Sequence, residues 1–125
     1  MKNLFFVIFI SFSSTVMALD CSIPAIERTA NYLWGAAIRT HQSGLAESKQ
    51  DGHISAEESR ANNATYTLQA SSSRMAQTPS REILNEVEND YSQAGTALLL
   101  AQLHGEVVTH LDSVRKLIWG LNQCL

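Results

Sequence analysis

Cys21 and Cys124 are the only two cysteines of this 125-residue chain, and they lie near its two ends. In an oxidising compartment an even number of cysteines is typical of disulfide pairing. The sequence therefore predicts a Cys21–Cys124 disulfide that closes most of the chain into a ring. The alternative is a pair of intermolecular bridges. Either bridge would remove both thiols as nucleophiles and as metal ligands.

Metal chemistry is the next possibility, because His104, Glu106 and His110 lie close together in the sequence. The zinc-protease motif needs two histidines four residues apart on one helix face, and these two are farther apart. The segment 47–58 places glycine and glutamate as a calcium loop does, but Lys49 stands where such a loop needs a carboxylate ligand. We therefore expect no metal site and no cofactor.

Patterns of a catalytic nucleophile are absent from the sequence. There is no Gly-x-Ser-x-Gly turn, and the serine run 71–73 has no neighbouring histidine or carboxylate to act as a base. Glycine-rich phosphate-binding loops are absent too. We therefore expect a protein that is not an enzyme.

Three carboxylates, Glu82, Glu86 and Asp90, follow one another at four-residue steps, and we name this set the acidic strip. On a helix they share one face and repel one another by about 0.2–0.5 kcal/mol per pair. No basic residue follows four positions later to offset them. The strip is either a solvated face that keeps the protein soluble or a docking surface for a basic partner.

Trp34 and Trp119 each lie beside a glycine in an apolar segment. Because an indole buries a large apolar area, we expect both side chains in the core. The alternative is that an exposed tryptophan anchors a binding partner.

The N-terminus has the three-part pattern of a secretory signal peptide. Lys2 precedes an apolar run at 4–12, and small residues follow up to Ala18. We predict cleavage after Ala18 and location in the periplasm or outside the cell. The apolar run is shorter than the roughly 20 residues that cross a bilayer, so no membrane anchor is expected after cleavage. Asp20 before Cys21 disfavours a lipoprotein.

The charge balance indicates which partners are unsuitable. The formal net charge is −3, and loss of Lys2 with the signal peptide makes the mature protein more acidic. Phosphate groups and anionic lipids would be repelled by such a surface. We therefore expect no binding to nucleic acid or to membranes.

Helices must position these residues, because apolar residues recur at three- and four-residue spacing and strand patterns are nearly absent. Gly44 is a natural end for the first helix, and Ser55 with Glu58 forms a capping box for the second. The apolar spacing slips near Gly105, which separates the third helix from the fourth. We predict helices at about 23–42, 55–75, 80–103 and 106–123.

The expected fold is all-α, with a signal peptide at 1–18 and a single helical domain at 19–125. An even number of helices brings the two ends of the domain together, as the disulfide requires. We therefore predict a small up-down-up-down four-helix bundle whose termini are joined by the disulfide.

These observations favour an exported, soluble protein that acts by binding another protein. An immunity-type inhibitor fits this description, as does an accessory factor of an envelope, secretion or conjugative plasmid-transfer system. The alternative is a small-ligand carrier, with a pocket beside the second helix, or a periplasmic chaperone. No sequence pattern indicates an oligomeric state.

Overall fold

The structure, a computed structural model, describes residues 20–48 and 52–125, which contain four helices and no strand. The helices are α1 (Ile23–Ser48), α2 (Ala56–Gln77), α3 (Arg81–Leu100) and α4 (Glu106–Asn122). The all-helical class and the number of helices are therefore confirmed for this part of the chain. The predicted signal peptide, with its cleavage after Ala18, lies outside the described residues.

Helix α1 continues through Gly44 to Ser48, so the prediction that Gly44 ends this helix is wrong. Gly44 is buried, and a Cβ atom added there would lie 3.6 Å from Cγ2 of Val107 on α4. This is an ordinary van der Waals distance, so Gly44 lies where α1 packs against α4. A sequence pattern along α1 alone does not contain this contact.

Helix α2 begins with the expected capping box. The backbone N–H of Glu58 donates to Ser55 Oγ over 3.2 Å, and the Ser55 N–H donates to Glu58 Oε1 over 3.0 Å. Most of its buried residues are small or polar, so α2 buries little apolar area. They are Ala61, Thr65, Leu68, Ser71, Ser72 and Met75.

The expected break near Gly105 separates α3 from α4. The Gln102 N–H donates to the Leu99 carbonyl and the Leu103 N–H donates to the Leu98 carbonyl, both over 3.1 Å, which is the Schellman arrangement. Gln102 has a φ of 57°, in the left-handed region that this arrangement requires. Gly105, the residue before α4, has a φ of 74°.

The four helices pack in a ring around one apolar core. Each helix contacts the next helix in the chain, α1 also contacts α4, and the contact between α3 and α4 is the least extensive. The five apolar residues of α4 that recur at three- and four-residue spacing are all buried: Val107, Leu111, Val114, Ile118 and Leu121. None of the described helices has the length and apolar character needed to cross a membrane.

The disulfide between Cys21 and Cys124 is present, with a Cα–Cα distance of 5.2 Å. It joins the residues flanking the start of α1 and the end of α4. A bridge across this sequence separation stabilises the fold by about 4–5 kcal/mol in the chain-entropy model. At the same end, Arg81 donates hydrogen bonds to the carbonyl oxygens of Asn122 and Leu125, which ties the start of α3 to the C-terminus.

Candidate partner-binding surfaces

The acidic strip lies on the outer side of α3. Ser80 caps this helix by accepting a hydrogen bond from the Ile83 N–H, and Leu84, Val87, Ala94 and Leu98 hold its inner side in the core. Ile83, Tyr91 and Ala97 are partly buried against the same core. All three carboxylates belong to α3. Glu82 and Glu86 are exposed, and Asp90 is half-buried.

One member of the acidic strip has a basic partner on another helix. Arg74, near the end of α2, forms an ion pair and a hydrogen bond with Glu86. Glu82 and Asp90 have no ion-pair partner among the described residues. Arg74 compensates one of the three negative charges, so the strip stays acidic. An exposed ion pair of this kind contributes at most about 1 kcal/mol to stability.

An open groove of about 340 Å³ lies between α2 and α3. Glu57 and Arg60 line it from α2, while Gln93, Ala97 and Leu100 line it from α3. The Leu100 side chain supplies the largest apolar group of the groove. We name this feature the α2–α3 groove.

Exposed apolar side chains lie at the end of the bundle farther from the disulfide. Leu99 and Leu100, at the end of α3, are 73% and 69% exposed, and Val108 on α4 is 46% exposed. Of the leucines at 98–100, only Leu98 continues the three- and four-residue spacing of the buried residues of α3. This spacing was the feature of the sequence that indicated exposure of the other two. Neighbouring exposed apolar side chains of this size are typical of interaction sites.

Trp119 is 58% exposed, so the expectation that both tryptophans lie in the core is wrong for this residue. The core position of α4 is the preceding residue, Ile118, and the next residue along a helix points about 100° away. Trp34 is half-buried, and its indole N–H has no hydrogen-bond partner among the described residues. Trp119 therefore fits the alternative expectation of a partner anchor.

A second groove, of about 330 Å³, lies between α3 and α4, and Trp119 lines it. We name this feature the α3–α4 groove. Tyr91 and Ile118 supply its other large apolar groups, and Glu88 and Arg115 also line it. Of the helix pairs that contact each other, α3 and α4, which flank this groove, have the least extensive contact.

The charges of the α3–α4 groove are largely compensated within the protein. Glu88 Oε1 lies 3.8 Å from Arg81 Nη1, and Arg115 lies 2.9 Å from Asp112. Hydrogen bonds from Arg115 and Lys116 lower the pKa of Asp112 and keep it ionised. The groove is therefore an aromatic and aliphatic surface with paired charges at its edges.

His41 has a structural environment between α1 and α2. Its Nδ1 lies 2.8 Å from Thr65 Oγ1, and its ring meets Tyr66 edge-on at 5.6 Å between centroids. Burial lowers the pKa of His41 and favours the neutral ring. Among residues 20–48 and 52–125, the hydrogen-bond partner of this ring is the Thr65 hydroxyl and not a carboxylate.

The third open cavity, of about 570 Å³, lies where α1 ends and α4 begins. Glu47 from α1 lines it together with His104 and Glu106. The Glu47 carboxylate accepts a hydrogen bond of 2.6 Å from the His104 backbone N–H, which ties the α3–α4 connection to α1. Within 20–48 and 52–125, no three histidine, cysteine or carboxylate side chains converge in a way that could hold a metal ion.

No protein-family model, curated protein or solved structure matches this chain. The function is therefore inferred from the chemistry of its own surfaces.

Proposed function

We propose that this protein is exported through its N-terminal signal peptide and acts, without catalysis, by binding a protein partner in the periplasm or outside the cell. An immunity-type inhibitor and an accessory factor of an envelope, secretion or plasmid-transfer system both fit this role. The disulfide between the ends of the domain supports an oxidising compartment. Export predicts a mature N-terminus at Leu19 in the periplasmic fraction, which intact-mass measurement tests.

We further propose the up-down-up-down arrangement of the four helices, which supplies the scaffold for binding. Ser48 at the end of α1 contacts Asn62 near the start of α2, with 3.2 Å between the side-chain oxygens. Arg74 near the end of α2 contacts Glu86 near the start of α3. The disulfide joins the start of α1 to the end of α4. Each of these contacts fits helices that alternate in direction.

The observation that carries the binding proposal is the exposed Trp119 above the α3–α4 groove. Tryptophan, tyrosine and arginine are enriched among the few residues that supply most of the energy of a protein interface. Tyr91 and Ile118 continue its apolar surface into the groove. A partner side chain that fills the groove would therefore bury the indole and displace water from an aromatic pocket.

Site-specific photo-cross-linking tests this proposal in the protein's own compartment. A photoreactive phenylalanine analogue replaces Arg115 in one variant and Tyr32 in a control variant, so that Trp119 is kept in both. Arg115 lines the α3–α4 groove with a side chain that is 53% exposed, and Tyr32 on α1 is 59% exposed, so the two positions are similarly accessible. We expect a discrete adduct from position 115 and none from position 32.

Competition makes the cross-linking result specific. Excess purified wild-type protein should suppress the adduct, because it occupies the partner, whereas the Trp119→Ala variant should compete poorly. Equal adducts from both positions, or equal competition by the two proteins, would contradict the role of Trp119.

A small-ligand carrier is the second candidate, because a groove of 340 Å³ lies beside α2, where that alternative expected a pocket. Carrier function predicts that native mass spectrometry of gently extracted protein detects a bound apolar compound. It also predicts that Leu100→Ser reduces the bound fraction while Tyr32→Ser leaves it unchanged. A protein that is uniformly ligand-free after gentle extraction argues against a carrier.

A further inference from the structure

We propose that the α2–α3 groove and the acidic strip together form one docking track for an amphipathic helical segment of a partner protein. The segment would carry basic residues at one end and bulky apolar residues at the other. The basic end would lie over the acidic strip, and the apolar end would enter the groove beside Leu100. This surface adjoins the α3–α4 groove at Ser92, which lines both grooves, but it does not include Trp119.

The track is continuous because its members follow the helical repeat of α3. From the acidic strip the steps of three and four residues lead through Gln93 and Ala97 to Leu100. The rise from Glu82 to Leu100 is about 27 Å at 1.5 Å per residue. A partner helix of about five turns therefore covers the whole track.

The apolar end of the track is accessible to a partner. Leu100 lines the groove and is 69% exposed, and Leu99 beside it is 73% exposed. Ala97 has a small side chain, which lets a partner side chain approach the helix backbone closely. Full burial of one such leucine tightens binding about 10- to 100-fold, so this end can anchor a helix.

The acidic strip, at the charged end of the track, favours a partner segment of positive charge. Glu82 and Asp90 have no ion pair among the described residues, and Arg74 compensates only part of the charge of Glu86. Lysine or arginine at steps of three or four residues on a partner helix would face these carboxylates. An acidic segment or an anionic lipid surface would be repelled by the same groups.

A second copy of this chain fits the track poorly in either direction. If two α3 helices paired in parallel, the acidic strips would face each other and repel. If they paired antiparallel, each acidic strip would lie against the exposed leucines of the other copy, and its carboxylates would lose water without gaining a partner. The distribution of charge therefore favours a different, basic chain.

Selection from a displayed library of random peptides of about 20 residues tests this inference while the natural partner is still unidentified. The target is the oxidised mature protein, and only peptides that bind the bare support are removed, so that no variant biases the selection. We expect the enriched sequences to combine lysine or arginine near one end with leucine, isoleucine or phenylalanine near the other. Enrichment of acidic sequences, or no charge preference, overturns the proposal.

Affinities of one enriched peptide for matched variants then locate its site. Leu100→Ser should weaken binding about 10- to 100-fold, from the loss of one buried leucine. The double variant Glu82→Gln/Asp90→Asn should weaken it about 2- to 30-fold, which is the range for two exposed ion pairs, and should reduce its salt dependence. Tyr32→Ala is the control and should bind unchanged.

Three further results would overturn the proposal. Loss of binding in Trp119→Ala with retention in Leu100→Ser would move the peptide to the α3–α4 groove. Self-association of the free protein that Leu100→Ser abolishes would make a second copy the occupant. Binding to vesicles of anionic lipid, sensitive to Leu100→Ser, would make the surface a membrane contact.

Discussion

Gly105, between α3 and α4, allows a sharp test of the backbone because an added methyl group would meet no neighbouring atom. Its φ is 74° and its ψ is −133°, a conformation that residues other than glycine rarely adopt. A Cβ atom at this position has nothing within 4 Å. The substitution Gly105→Ala therefore introduces backbone strain and no steric contact, and we expect a loss of about 1–3 kcal/mol in the free energy of unfolding.

Gly120 provides a matched control in the same part of the chain. It lies inside α4, and a Cβ atom there also has nothing within 4 Å. Alanine is favoured over glycine in a helix by about 0.5–1 kcal/mol, so Gly120→Ala should stabilise the protein by that amount. The same chemical change is thus expected to act with opposite sign at two positions fifteen residues apart.

Urea unfolding followed by circular dichroism measures both variants with the disulfide intact. The expected difference between their free energies of unfolding is about 1.5–4 kcal/mol, with the wild-type protein between them. A Gly105→Ala variant as stable as the wild type would refute the left-handed conformation at this position. Destabilisation by both variants would instead refute the open surroundings of Gly120.

Three further predictions concern stability. Replacing both Cys21 and Cys124 by serine should lower the free energy of unfolding by about 2–5 kcal/mol in urea titrations, and an unchanged midpoint would contradict a structural role of the bridge. Gln102→Gly should raise the unfolding free energy by about 1 kcal/mol, because glycine adopts the φ of 57° without strain, and a loss of stability would contradict the Schellman arrangement. Burial lowers the pKa of His41 in the folded protein, so the unfolded chain binds a proton first as the pH falls. Stability should therefore decrease below the unfolded pKa of about 6.5, and this decrease should be smaller in His41→Gln when unfolding is measured across that pH range.

Most of the helical framework could be predicted from local sequence patterns. The three- and four-residue spacing of apolar residues predicted the core side of α4 completely, because each position depends only on its own helix. The capping box at Ser55 and the break at Gly105 are local as well. The end of α1 was not predictable in this way, because Gly44 is kept in the helix by packing against Val107 from another helix.

The candidate surfaces were less predictable, because exposure and charge pairing depend on contacts between helices. The acidic strip was visible in the sequence, but the partner of Glu86 is Arg74 on the preceding helix. Tryptophan is a residue type expected in a core. Trp119 is exposed because it follows the buried Ile118 in the helix and so points about 100° away from the core. The exposure of the leucines at the end of α3 depends on where that helix ends, and local spacing fixes such boundaries poorly.

The arrangement of contacts explains why α3 carries both proposed surfaces. The disulfide attaches α4 to α1 at one end of the bundle, and α1 also packs extensively on α4 and α2. These contacts hold α4 in place, so the bundle does not depend on a tight contact between α3 and α4. A groove therefore remains on that side of α3, while another groove lies between α3 and the first turns of α2. A helix with an open groove on each flank can bind partner groups on both sides without any change in the core, and this makes α3 the element on which partner recognition is expected to depend.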